Sequence, residues 1–97
     1  MRETRSHNAL ANKLAKKFGV EYNKGPGIDI QTPSMAIEVE PEKTISDAGR
    51  QLQGYRKPVY VAPTTKGGVE KALERYGNTS IGVMNNEGKI IKRSKRK

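Results

Sequence analysis

The 97-residue chain contains no cysteine and no tryptophan. Without cysteine, neither a disulfide framework nor a thiolate-held zinc can staple so small a domain. Aromatic residues make up 5% of the chain, one Phe and four Tyr, which leaves little surface for reading nucleic-acid bases. No apolar run approaches the ~18 residues of a membrane span, and the amino terminus has no signal-peptide h-region. The expectation is an intracellular, cytoplasmic protein with no membrane partner. Hydrophobic residues are also scarce, at 33%, and adding the ten glycines still leaves the chain below the ~45–50% of an ordinary domain. The core must be small, and burial in an oligomer would help it.

Positive charge is plentiful. The formal net charge is +9 and the sequence pI is about 10.0, which suggests a polyanion partner, nucleic acid being the commonest. The charge is unevenly placed. Residues 1–24 hold six Lys/Arg and two acids, and residues 48–97 hold twelve Lys/Arg and three acids. Residues 25–47 reverse this with Asp29, Glu38, Glu40, Glu42 and Asp47 against Lys43 alone. An acidic island in a basic protein repels a polyanion unless a cation stands between them.

Leu10, Ala11, Leu14, Ala15 and Phe18 recur at helical spacing, and Gly19 stops the helix. The single histidine, His7, is expected on the wet side of that helix. Residues 20–22 read as a short strand, and NKGPG as a turn. GIDIQ and MAIEVE alternate with period two around a TPS turn. KTISDAGRQLQGYRK has a helical apolar face through Ile45, Ala48, Leu52 and Tyr55, with Thr44 as its N-cap and Pro58 as its end. VYVA reads as a buried strand, GGVEKALERYG as a second amphipathic helix, and SIGVM-NNEG-KIIKR as a hairpin. The expected order is α-β-β-β-α-β-α-β-β in one domain over residues 1–97, with 94–97 as a flexible basic tail. The expected fold class is α/β, a mixed β-sheet flanked by helices.

In MAIEVE, Glu38 and Glu40 share a face opposite Ile37 and Val39. A two-residue hairpin loop sets Asp29 opposite Ala36, and a four-residue loop sets it opposite Glu38; either places it on the same face as both glutamates. An odd loop or a bulge would not. The plain reading of such a pattern is the wet face of a sheet. The chemical reading is that three converging carboxylates call for a cation, and oxygen ligands suit Mg²⁺ or Mn²⁺. The glycine-containing loops lack a G-x-x-x-x-G-K-[ST] arrangement, so nothing supports nucleoside-triphosphate binding.

PGID ending at Asp29, then Glu38-Val39-Glu40, then Gln51-Leu-Gln-Gly-Tyr55 on the next helix, resembles the PD-(D/E)xK nuclease superfamily. That superfamily includes restriction enzymes, archaeal Holliday-junction resolvases and RecB-like nucleases, whose branch carries Q-x-x-x-Y. Its core of a helix, three strands, a helix and a strand matches the order read from residue 3 to residue 62. The resemblance implies a restriction-endonuclease-like fold and phosphodiester hydrolysis. It implies Asp29, Glu38, the main-chain carbonyl of Val39 and Glu40 as metal ligands, and Asp29, Glu38, Glu40 and Gln51 as the catalytic set. The chain departs from the pattern at Glu40, where the motif has Lys, although some restriction enzymes of the superfamily also carry Glu there. Lys43 is a candidate substitute, and Glu3 a candidate for the acid that family members carry on the first helix.

The reading is a metal-dependent DNA nuclease, an endonuclease directed by DNA shape or structure. Its partner is duplex or branched DNA, addressed by a homodimer. Arg2, Arg5, Lys92, Arg93, Lys95 and Arg96 are the expected phosphate contacts. The alternative is a non-catalytic basic nucleic-acid-binding protein that keeps the nuclease-like fold. A small RNA-binding protein of the ribosomal type fits the charge but not the acidic island.

Overall fold

A computed structural model describes residues 5–23 and 27–96. Arg2 and Glu3 lie outside the described residues. The elements are α1 (Arg5–Phe18), β1 (Ile30–Gln31), β2 (Ala36–Glu40), a 3-10 helix (Glu42–Asp47), α2 (Ala48–Gln51), β3 (Val59–Pro63), α3 (Lys66–Tyr76), β4 (Gly82–Met84) and β5 (Ile90–Lys92). They form a small α/β domain around a five-stranded mixed sheet of order β1-β2-β3-β4-β5. The two outer pairs are antiparallel hairpins, and β2, β3 and β4 run parallel.

The domain has three layers. Leu10, Ala11, Leu14 and Ala15 of α1 pack on one sheet face with Ile30, Ile37, Val39, Tyr60 and Met84. On the other face Ile45, Ala48, Leu52, Ala72 and Tyr76 cover Ala36, Val59, Val61 and Val83. Both crossover connections, β2 to β3 and β3 to β4, thus lie on one side, as two successive crossovers of the same hand must.

Two expected elements differ. Residues 20–22 form no strand, because α1 ends in a Schellman motif that turns the chain back. Gly19 has φ 68°, Gly19 N–H donates to the Lys16 carbonyl, and Val20 N–H donates to the Ala15 carbonyl. Val20 then packs against the α1 face of the core. The helix expected to run to Pro58 stops at Gln51. Gly54, at φ 84°, takes a backbone conformation that no continuing helix has. Thr44 is not a helix cap; it lies inside the 3-10 helix, whose N-cap is Pro41, and Asp47 precedes α2.

The hairpins follow the sequence pattern. The first closes with a four-residue loop, Thr32 to Met35, in which the Thr32 hydroxyl accepts the N–H groups of Ser34 and Met35. Its register pairs Ile30 with Ile37, so Asp29 stands opposite Glu38.

The expected free tail is tied down as far as Arg96. The Ser94 hydroxyl accepts the Val59 N–H and donates to the Ser80 carbonyl. The Arg96 guanidinium donates to the carbonyls of Leu52 and Tyr55 and to the Ser80 hydroxyl. The Lys92 ammonium donates to the carbonyls of Tyr76, Thr79 and Ile81, where α3 ends. Desolvation there lowers its pKa, with the Lys95 charge adding to the effect.

Candidate active site

β1 is two residues long, and its brevity builds the site. The chain bends at Asp29, one residue before the sheet pairing begins. Val39 on β2 therefore reaches the β1 side past the end of that strand. Its N–H finds the Asp29 carboxylate instead, with Oδ2 accepting at 2.9 Å. Reciprocally, Asp29 N–H donates to Glu38 Oε1 at 3.2 Å. Two positions on, Glu40 Oε1 accepts the Thr44 hydroxyl at 2.6 Å. Thr44, expected to cap a helix, is a donor to this carboxylate.

These acids are not a wet sheet face. Glu38 is 6% exposed, and Asp29 and Glu40 are 8% exposed. Burial raises the Glu38 pKa to about 9, with the Asp29 charge as the second cause and a hydrogen bond with the Asp29 side chain as the third. Glu40 is raised as well, by burial first; the charges of Asp29 and Asp47 add to the rise, and the Thr44 hydrogen bond and His7 oppose it. A protein that buries carboxylates against one another gives up stability at that point.

His7 departs from expectation. It is buried, 8% exposed, with Nε2 3.2 Å from Asp29 Oδ2. The Tyr22 hydroxyl lies 3.1 Å from the other ring nitrogen and donates to Asn8 Oδ1 at 3.0 Å. The periodicity did point here, since positions 7, 10, 11 and 14 lie on one side of a helix. Reading the polar type of His7 ahead of its position sent it to the wrong face.

The remaining candidates are dispersed. Gln51 is exposed at the end of α2, and Tyr55, half-buried, comes after that helix has ended. The one-turn relation that a continuous helix would give this pair is therefore lost. Lys43 is exposed on the 3-10 helix. Arg5, Arg93 and Lys95 are exposed, whereas the cationic groups of Lys92 and Arg96 are engaged with main-chain carbonyls.

Among the described residues, no three His, Cys, Asp or Glu side chains form a group that could hold a metal ion. The donors that do meet are the carboxylates of Asp29 and Glu38. The Val39 carbonyl points to the same side of β2 as its N–H, towards Asp29. Two carboxylates and a carbonyl are hard-oxygen donors that would leave about half of an octahedral Mg²⁺ shell to water. In donor chemistry alone, these oxygens are of the type that Mg²⁺ or Mn²⁺ takes.

The chain matches no protein-family model, and no curated protein or solved structure matches it at a significant level.

Proposed function

We propose that the protein is a small metal-dependent DNA nuclease that hydrolyses phosphodiester bonds, acting as an endonuclease directed by DNA structure. The observation that carries this reading is the burial of Asp29, Glu38 and Glu40 together in a chain of net charge +9, with Glu38 pushed up to about 9. A carboxylate displaced as far as Glu38 marks a candidate functional site. Glu40 closes β2 at the carboxyl end of the parallel β2–β3 pair, where open α/β sheets place their sites. The succession of a helix, an antiparallel strand pair, a helical segment and a parallel strand keeps part of the core that the PD-(D/E)xK resemblance implies, with its first strand missing.

Asp29, Glu38 and the Val39 carbonyl would hold Mg²⁺ or Mn²⁺. Such a cation, when bound, supplies positive charge at a phosphoryl oxygen and lowers the pKa of water. Glu38 would have to release its proton to act as a ligand. Glu40, held by the Thr44 hydroxyl, orients the attacking water or a second cation. His7, 3.2 Å from Asp29 Oδ2, steadies that carboxylate from α1. Two copies in a homodimer would address both strands of a duplex or junction.

A second reading is a basic, non-catalytic DNA-binding protein with the same fold. The hydrogen bonds that Asp29 and Glu38 already accept from the main chain favour it, as does Glu40 at the motif's Lys position. Cleavage of supercoiled and branched DNA in Mn²⁺, paired with a binding titration in EDTA, separates the two. Parent protein should cleave, and Glu38→Ala should bind without cleaving. Cleavage by a well-folded Glu38→Ala sinks the nuclease site, and a parent that binds but never cleaves establishes the second reading.

A further inference from the structure

The charges that the sequence scatters over its second half converge in the fold. Val59 opens β3 opposite Ala36, and its N–H is held by the Ser94 hydroxyl. The Ser94–Arg96 segment is therefore at the end of the sheet where β2 and β3 begin, whereas Glu40 pairs with Pro63 at the end where they finish. Four strand residues separate the two ends, about 13 Å at ~3.3 Å per residue.

Arg96 anchors this end through the carbonyls of Leu52 and Tyr55, which brings Lys95 beside the loop carrying Arg56. Residues 48–58, 77–82 and 88–96, the segments that meet here, contain no Asp or Glu. Arg96 and Lys92 are the scaffold. Arg56, Arg93 and Lys95 remain exposed, carried on segments that these hydrogen bonds hold together.

We propose that this acid-free end is a docking surface for a nucleic-acid phosphate backbone, separate from the carboxylate cluster, with Arg56, Arg93 and Lys95 as its phosphate contacts. It rests on the reading of the chain as a nucleic-acid-binding protein but not on catalysis. Ile91, 43% exposed, is the one large hydrophobic side chain exposed among the described residues. A surface built to lie in a lipid headgroup layer needs an apolar face beside its charges, so the observations favour nucleic acid over an anionic membrane. Backbone held here is displaced by about two nucleotides of one strand from the level of Asp29 and Glu38, and by about four from Glu40, at ~3.4 Å each. The segment that is gripped and the segment that reaches Glu38 are thus different parts of the substrate.

The test is a salt titration in EDTA of a fluorescein-labelled 30-base-pair duplex against three proteins. These are the parent, Arg56→Gln/Arg93→Gln/Lys95→Gln, and Lys43→Gln/Lys66→Gln, which changes charges at the carboxylate end. Thermal melts confirm that each is folded. The triple variant should flatten the log–log salt slope by about 2.7, at ~0.9 per lost contact, and the double variant should leave it near the parent value. An unchanged slope in the triple variant overturns the proposal, as does a loss confined to the double variant. Parent protein that binds phosphatidylserine vesicles but not the duplex also overturns it. The expected slopes together with no cleavage in Mn²⁺ support this surface and sink only the nuclease reading.

Discussion

Val39 donates its N–H to the Asp29 carboxylate at 2.9 Å, just outside the end of β1. A side chain thereby does the work of a missing strand residue. Asp29→Ala should cost ~1–3 kcal/mol, the range for leaving a buried donor unpaired. Chemical denaturation at pH 7 measures this, and an unchanged midpoint would show that the bond contributes nothing to the fold.

Glu38 should behave in the opposite way. Folded, it keeps its proton to about pH 9, whereas unfolded it ionises near 4.5. Between these values the folded state binds more protons than the unfolded one. Its contribution is therefore complete below 4.5 and is lost as pH rises through 9. Glu38→Gln, which cannot ionise, should melt several degrees above the parent at pH 8, where ~1 kcal/mol corresponds to about 4–8 °C in a domain this size. The gap should close at pH 5. A lower melting point for the Gln variant at pH 8 would refute the buried, proton-holding glutamate.

The same proton would govern cation binding at the proposed site. Mn²⁺ must displace it to reach Glu38, so affinity should climb by about tenfold per pH unit between pH 6 and 8 for one proton released. Calorimetric titration of DNA-free protein reads this directly. A flat profile would mean that Glu38 is not a ligand.

His7 and Tyr22 should be coupled. His7→Ala removes a buried partner of both Asp29 and Tyr22, and should cost ~1–3 kcal/mol. Tyr22→Phe should cost less, and the double mutant should fall short of the sum by at least ~0.5 kcal/mol, as groups in one network do. Strict additivity would place the two residues in separate environments.

Removal of Ser94–Lys97 should reduce stability as well as DNA binding. Arg96 alone makes charge-assisted hydrogen bonds to two carbonyls, and each such bond is worth ~1.5–3 kcal/mol. Lys95→Gln, exposed, should leave the melting point alone. Equal melting points for the truncated and full chains would restore the idea of a free tail.

Local pattern determined a good deal by itself. The α1 stripe, the α3 stripe, both hairpins and the shared face of Glu38 and Glu40 follow from periods of 3.6 and 2 and from turn residues, which act over a few positions. Tertiary structure decided the rest. Whether Glu38 is wet or buried depends on helices packed from residues 45 to 76, and its pKa follows from that burial. His7 meets Asp29 only because β1 stops short, and α2 ends early because the chain must turn at Gly54 to enter β3. The tail is held by carbonyls of Leu52 and Tyr55, more than forty positions away. Such contacts join residues that no local period relates, so they exist only once the sheet has closed.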